Sequence, residues 1–345
     1  MTETTEALLR VRDLGVVYHT GGGRTLPALQ DVSFDVEPGA IVGIVGESGC
    51  GKSTLSGALM RLLPANGEIS SGEIVLGGRD LRGLDDAQLR DVRGREISMI
   101  FQDPLSSLNP SFTIGSQLRE IQRAHRRHQR RSGAAMRKHA IDLLDQVGIP
   151  EPDRALRRFP HEFSGGMRQR VMIAMALLLE PSILIADEPT SALDVTLEAQ
   201  VLELLSRLRD EHGTSILFVT HDLGVVAQLC DTVVVMYAGQ AVEYADVHTL
   251  FERPRHPYTE ALLAAMPALE RRHETLASIP GRVPDLAALP EGCRFTPRCP
   301  YARAACADAP AMSTSDSVLV RCHRYDPDSG YEESAPPAAA NGETR

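Results

Sequence analysis

The sequence contains no hydrophobic segment long enough to cross a membrane. Its longest uninterrupted apolar run is Val171–Leu179, whereas a membrane-spanning helix needs about 20 apolar residues. The first ten residues include Glu3 and Glu6 and have no apolar core, so we expect no secretory signal there. Together these absences predict a soluble, cytoplasmic chain that can still dock on a membrane protein.

The sequence also lacks an excess of positive charge. Its 36 Lys and Arg residues stand against 46 Asp and Glu residues, which gives a formal net charge of -10. Because nucleic-acid-binding proteins usually carry a basic surface, we expect no nucleic-acid partner. The arginine-rich stretch 119–138 has no interleaved aromatic residues for base stacking. We interpret it as a solvated helix face, or as a surface near anionic lipid headgroups.

One segment, which we call the P-loop, carries the strongest chemical signal. It reads Gly46-Glu47-Ser48-Gly49-Cys50-Gly51-Lys52-Ser53-Thr54. The apolar run Ile41–Val45 predicts a buried strand before it, and Thr54–Leu63 predicts a helix after it. Backbone N–H groups of such a loop and the helix N-terminus bind phosphate oxygens. We therefore predict a nucleoside triphosphate site, with Lys52 on the β- and γ-phosphates and Ser53 as a Mg²⁺ ligand.

Strand-like and helix-like segments alternate along most of the chain, which predicts a mainly parallel sheet covered on both faces. A helical block at about 104–180 interrupts the alternation and predicts an inserted subdomain. After about residue 253 proline and alanine increase, strand patterns vanish and four of the six cysteines appear. We therefore expect an ATP-binding domain at 1–253, an extension at 254–325 and a disordered tail at 326–345.

Two adjacent carboxylates form the second phosphate element. The apolar run Ile183–Ala186 predicts a strand that ends at Asp187 and Glu188, and ligands of open α/β sheets bind at such strand ends. We predict that Asp187 holds Mg²⁺ and that Glu188 polarises the water that attacks the γ-phosphate.

The order of these motifs resembles that of the ATP-binding subunit of an ABC transporter. The segment Phe163-Ser164-Gly165-Gly166-Met167-Arg168-Gln169-Arg170 is similar to the family signature, although Phe163 and Met167 depart from its general form. The resemblance implies an α/β P-loop NTPase with an N-terminal antiparallel β-subdomain, an inserted helical subdomain and a small Cys-containing C-terminal extension. It also implies that Ser164, Gly165 and Gly166 meet the γ-phosphate of ATP bound by a partner subunit.

Four further residues are similar to functional positions of that family. Gln102 resembles the glutamine that senses Mg²⁺ and couples to the permease, and His221 resembles the histidine that contacts the γ-phosphate. Asp194 lies in a segment that resembles the loop crossing the dimer interface. Tyr18 resembles the aromatic residue that stacks on adenine.

The chain beyond residue 253 is similar to the C-terminal extension of dipeptide and oligopeptide importer ATPases. The matching segments are Arg255–Leu263, Ile279–Gly281 and Gly292–Pro300. The resemblance implies a peripheral ATPase on the cytoplasmic membrane face, with two permeases, a second, related ATPase and, indirectly, an extracytoplasmic solute-binding protein. The solutes of such importers are peptides, or nickel in close relatives. The alternative is a soluble ABC ATPase of DNA repair or translation, although such proteins usually carry tandem ATPase units or long coiled coils.

The extension contains a cluster of four cysteines, Cys293, Cys299, Cys306 and Cys322, separated by five, six and fifteen residues. Structural zinc sites usually contain a closer pair, whereas four thiolates match the usual ligand set of an iron–sulfur centre. The corresponding cysteines of the peptide-importer family imply a [4Fe–4S] cluster, which we expect here. A zinc site that includes His323, and four unmetallated thiols, are the alternatives.

Overall fold

The computed structural model describes residues 7–102, 107–125, 132–191, 193–266 and 279–331. Its strands form two sheets, one of four strands and one of eight. None of the described helices is long and apolar enough to cross a membrane.

Strands and helices alternate through the described chain. The strands are β1 (Leu9–His19), β2 (Thr25–Val36), β3 (Ile41–Val45), β4 (Gly67–Leu76), β5 (Arg79–Asp80), β6 (Ile97–Ile100), β7 (Ile183–Asp187), β8 (Ser215–Thr220), β9 (Thr232–Tyr237), β10 (Gln240–Asp246), β11 (Ser313–Ser315) and β12 (Val318–Val320). The α-helices are α1 (Lys52–Leu59), α2 (Asp86–Val92), α3 (Ile114–Ala124), α4 (Gly133–Gln146), α5 (Pro152–Ala155), α6 (Gly165–Leu177), α7 (Val195–His212), α8 (Leu223–Leu229), α9 (Val247–Glu252) and α10 (Pro257–Ala264). Five 3₁₀ turns lie at Leu81–Gly83, Pro160–Glu162, Thr296–Arg298, Ala304–Ala307 and His323–Tyr325.

The eight-stranded sheet forms the centre of the molecule. Its strand order is β11-β12-β10-β9-β3-β8-β7-β6. Strands β6, β7, β8, β3 and β9 pair in parallel. Every residue of β3, β7 and β8 is buried, as the continuous apolar runs of a doubly covered sheet require. The carboxyl ends of these three strands therefore meet at one edge, where they carry the P-loop, Asp187 and His221.

The four-stranded sheet is antiparallel, with the order β2-β1-β4-β5. It confirms the predicted N-terminal antiparallel β-subdomain. Its inner side chains, among them Leu9, Val11 and Phe34, are buried in one cluster with Ile44 of β3 and Leu55 of α1. This shared core holds the small sheet against the strand and helix on either side of the P-loop.

Helices α3 to α6 lie within the predicted helical block and precede β7 in the chain. Their apolar faces bury Leu118, Leu144 and Val171 in the second large core cluster, which also contains Ala186 of β7. The signature helix α6 thus connects the helical block to the strand that carries Asp187.

The extension is built into the main sheet and is not detached from it. Strand β12 pairs with β10 and β11 pairs with β12, so the extension contains strands that no sequence pattern indicated. The described residues continue past residue 326, the predicted start of the disordered tail. The Ser329 hydroxyl donates to the His323 carbonyl at 2.8 Å, and the Tyr331 hydroxyl donates to the Tyr301 carbonyl at 2.9 Å. Residues 332–345 lie outside the described residues.

Candidate nucleotide site

The P-loop joins β3 to α1 through backbone that favours glycine. Gly46, Gly49 and Gly51 have φ angles of 153°, 81° and 107°, and such positive values are strained for other residues. A Cβ atom on Gly46 would lie 2.2 Å from the carbonyl oxygen of Met236. The loop therefore passes too close to β9 to tolerate a side chain at its first residue.

Lys52 begins helix α1 and points back across the loop. Its side chain is buried, and Nζ donates to the carbonyl oxygens of Gly46 at 2.7 Å and Glu47 at 3.3 Å. The ammonium group and the N-terminus of α1 lie together, so this loop combines both features of a phosphate site.

Asp187, at the end of β7, is the best candidate Mg²⁺ ligand. It is 4% exposed, and its Oδ1 atom is buried without a hydrogen-bond partner. Burial, followed by the charge of Glu188, raises the pKa of the Asp187 carboxyl, while a hydrogen bond from Ser53 acts in the opposite direction. A buried carboxylate beside a serine hydroxyl supplies the oxygen ligands that Mg²⁺ prefers. Ser53 and Asp187 thus fit the predicted ion.

Glu188 lies between the other two predicted functional side chains. Its Oε2 atom accepts from Nε2 of Gln102 at 2.8 Å, and its Oε1 atom lies 3.3 Å from Nδ1 of His221. Its φ angle of 45° is left-handed, which costs a residue other than glycine about 1–3 kcal/mol and often marks a functional site. The structure therefore brings together three side chains from three separate segments, with Glu188 in the centre.

The predicted signature residues begin helix α6. The Ser164 hydroxyl caps the helix by accepting from the N–H of Met167 at 3.3 Å. A Cβ atom on Gly165 would meet nothing within 4 Å, whereas one on Gly166 would lie 2.7 Å from Leu197. The helix start therefore has an open side at Gly165 and packs against α7 at Gly166.

Sequence reasoning missed one buried residue of the signature helix. Gln169 is 2% exposed, and its Nε2 atom donates to the carbonyl of Pro189 at 2.7 Å. It ties α6 to the residue directly after Glu188. The signal was its polar side chain close to the apolar run Val171–Leu179, in the helix that precedes the Asp187 strand.

The remaining predicted nucleotide residues have simpler surroundings. The Tyr18 hydroxyl lies 3.3 Å from that of Thr54, which places the aromatic ring beside the first turn of α1. Asp194 caps α7 by accepting from the N–H of Leu197 at 2.9 Å. Cys50 is fully buried, and burial raises the pKa of its thiol, so we interpret it as a packing residue. Ser48 and Gly49 are exposed.

Comparison with known proteins agrees with this geometry. Residues 29–191 match the family model "ABC transporter", and residues 242–306 match "Oligopeptide/dipeptide transporter, C-terminal region". The chain is 48% identical over 314 residues to the oligopeptide transport ATP-binding protein OppD of Haemophilus influenzae, covering 91% of this chain and 96% of that protein. The chain belongs to the ATP-binding proteins of ABC transporters. It is therefore an ABC-type ATPase subunit.

A dipeptide transport relative and two solved ABC structures also match this chain. The dipeptide transport ATP-binding protein DppD of Bacillus subtilis is 47% identical over 324 residues, which are 93% of this chain and 96% of that protein. Among solved structures, a dimeric ATP-binding cassette in a post-hydrolysis state with ADP and Pi matches with a TM-score of 0.62. Its sequence identity is 28%, and the match covers 69% of this chain and 98% of that chain. The ABC cassette cbiO1 of Clostridium perfringens matches with a TM-score of 0.60 at 27% identity, covering 72% of this chain and 92% of that chain.

The iron–sulfur prediction is wrong. Cys293, Cys299, Cys306 and Cys322 do line one small cavity. Within the described ranges, however, no group of three or more His, Cys, Asp or Glu side chains is arranged to hold a metal ion. Burial raises the pKa of Cys299 to about 11 and that of Cys322 to about 12. The structure thus places the cysteines together as packed thiols.

Proposed function

We propose that this chain hydrolyses ATP to drive an importer of oligopeptides. The observation that carries the proposal is the contact of Glu188 with both Gln102 and His221, directly after the buried carboxylate of Asp187. The match of residues 242–306 to the oligopeptide/dipeptide transporter region, and the OppD and DppD relatives, support peptides as the solute. The proposed ATP-binding domain is 1–253, and the extension begins at 254.

The chemistry follows from the positions of the side chains. Lys52 and the N–H groups of the P-loop hold the phosphates, and the Tyr18 ring is proposed to stack on adenine. Ser53 and Asp187 would hold Mg²⁺, which would supply positive charge against the phosphate oxygens. Glu188 takes a proton from water as the water oxygen bonds to the γ-phosphorus and the bond to the β-phosphate oxygen breaks. His221 contacts the γ-phosphate, and Gln102 orients Glu188.

Two ATPase subunits complete each site in this proposal. Ser164, Gly165 and Gly166 form an anion site at the start of α6, with an open side at Gly165. They belong to a different element from the P-loop and serve the γ-phosphate bound by a partner, which we propose to be a related ATPase. Asp194, which fixes the start of α7, lies in the segment proposed to cross that interface.

We propose that two permeases are the membrane partners. This chain binds them on the cytoplasmic face of the membrane. A groove of about 550 Å³ lies between the main sheet and the helical block, and its lining includes Phe101, the residue before Gln102 in the chain. Its apolar lining includes Phe101, which is 46% exposed, together with Met99, Ile121 and Met172. Such a groove suits an apolar helix end of a permease. A solute-binding protein delivers the peptide outside, and none of the residues described here contacts the solute.

The proposal is tested by reconstitution. The chain, its related ATPase and two permeases are purified together from detergent-solubilised membranes and placed in proteoliposomes. Peptide-loaded binding protein should raise ATP hydrolysis and peptide uptake together, and the Glu188→Gln variant should show neither. Nickel in place of peptide tests the other solute. Failure of permeases to co-purify, with hydrolysis stimulated by DNA ends or ribosomes, would replace this proposal with the soluble alternative.

A further inference from the structure

The extension reaches into the P-loop through one buried arginine. Arg298 lies on the 3₁₀ turn Thr296–Arg298, and its side chain is 3% exposed. Its guanidinium donates to both carboxylate oxygens of Glu47, from Nη1 to Oε2 at 2.6 Å and from Nη2 to Oε1 at 3.0 Å. Paired contacts of this kind fix geometry as well as charge. The second residue of the P-loop is thus held by a residue 251 positions away in the chain.

A second residue of the extension holds the backbone of the same glutamate. The N–H of Glu47 donates to the hydroxyl of Tyr258 at 2.9 Å, and Tyr258 is fully buried. Its ring packs against Tyr237 of β9 and Phe295 of the extension, with centroid separations of 4.6 Å and 5.5 Å. The main chain of Glu47 is therefore hydrogen-bonded to a buried aromatic cluster, and its side chain is hydrogen-bonded to Arg298.

Arg298 itself is fixed in place by the extension. Its Nε atom donates to the carbonyl of Pro280 at 2.8 Å. Its guanidinium also lies 5.7 Å from the ring centre of Tyr237 and 6.0 Å from that of Phe295. A cation enclosed in this way keeps its charge and its orientation without help from solvent.

The position of Glu47 makes this contact relevant to nucleotide binding. A free carboxylate in a loop that binds phosphates would repel them. In addition, the Glu47 carbonyl accepts from Nζ of Lys52 at 3.3 Å, so a shift of Glu47 displaces a partner of the lysine. Arg298 thus neutralises the one acidic side chain of the P-loop and holds its backbone in register with Lys52.

We propose that the C-terminal extension contributes to ATP binding, with Arg298 as a positioning residue for the P-loop. The inference rests on the proposed function of the P-loop in binding ATP. It assigns to the extension a task in nucleotide affinity in addition to any role in transport.

A double-mutant cycle on the full chain tests the inference. ATP affinity is measured by titration calorimetry for the wild type, Arg298→Ala, Glu47→Gln and the double variant. We expect Arg298→Ala to weaken ATP binding at least tenfold, which corresponds to about 1.4 kcal/mol. Glu47→Gln removes the charge that Arg298 neutralises, and it serves only as the background for the second comparison. In that background Arg298→Ala should cost less than threefold, since there is no longer a charge to neutralise.

The controls separate positioning from general damage. Arg324→Ala removes another shielded arginine of the extension, which pairs with Glu260 at 3.4 Å and lies over the ring of Tyr301; it should leave ATP affinity unchanged. Arg298→Lys should restore part of the affinity, and it replaces Arg298→Ala in the cycle if the alanine variant does not fold. Wild-type affinity in Arg298→Ala, or equal losses in both backgrounds, would overturn the inference. A wild-type chain that binds no ATP would instead overturn the proposed function.

Discussion

Replacement of Glu188 by glutamine isolates the proposed general base with the least change in shape. The glutamine side chain can still accept from Nε2 of Gln102, which lies 2.8 Å from Glu188 in the wild type. What it loses is the ability to take a proton from water. A positioned general base contributes a factor of about 10² to 10⁴ in rate, which equals about 3–5 kcal/mol of activation free energy. We therefore expect hydrolysis to fall by at least a hundredfold.

Nucleotide affinity should not fall with the hydrolysis rate in the Glu188→Gln variant. The charge of Glu188 is one cause of the raised pKa of Asp187, so its removal makes ionised Asp187 easier to maintain. Mg²⁺ needs that carboxylate in its ionised form. We expect the Glu188→Gln variant to bind Mg²⁺ and ATP at least as tightly as wild type and to accumulate as a closed, ATP-bound dimer.

The assay combines single-turnover phosphate release in the assembled transporter with equilibrium ATP binding. Glu203→Gln, an exposed acid on α7, is the matched control and should retain wild-type values for both. Phosphate release by Glu188→Gln within a few-fold of wild type would remove Glu188 from the role of base. Loss of ATP binding together with hydrolysis would show that the residue acts by structure alone.

Three further predictions concern the P-loop, the signature helix and His256, a buried residue that caps α10. Lys52→Ala should weaken ATP binding by about 2–4 kcal/mol, because charge-assisted contacts to the phosphates are lost; calorimetry with exposed Lys138→Ala as control checks this, and unchanged affinity would contradict it. Ser164→Arg should abolish ATP-dependent dimer formation in light scattering while ATP still binds to the chain's own P-loop; dimers of wild-type stability would refute the shared site. Burial lowers the pKa of His256 to about 3, below its unfolded value of about 6.5, so the unfolded state binds the extra proton between these values and acidification destabilises the fold. Between pH 7 and pH 5 this group should lower the free energy of unfolding by about 2 kcal/mol. His256→Asn keeps the helix cap but does not titrate, so in urea unfolding its free energy of unfolding should fall by about 2 kcal/mol less than that of wild type over the same pH range. An identical pH dependence in the two proteins would disprove the assignment.

The sequence by itself was sufficient to predict an ABC-type ATPase with a P-loop. The P-loop and the Asp187–Glu188 pair are contiguous motifs, and contiguous residues keep their local geometry wherever the fold places them. The apolar runs before Gly46 and Asp187 predicted buried parallel strands, which the structure confirms in β3 and β7. Resemblance then supplied Gln102 and His221, whose contact with Glu188 depends on the parallel sheet bringing three strand ends together.

Contacts between distant segments could be read only from the tertiary structure. Strands β11 and β12 have three residues each, too few for a periodic pattern, and they exist because β10 offers an edge. Four nearby cysteines and the family resemblance predicted a metal centre, but neither decides whether the side chains converge with the geometry that a metal needs. Arg298 and Glu47 lie 251 residues apart, and no local pattern marks either as the other's partner. Local chemistry is encoded by neighbours in sequence, whereas charge pairing in the core depends on how the whole chain packs.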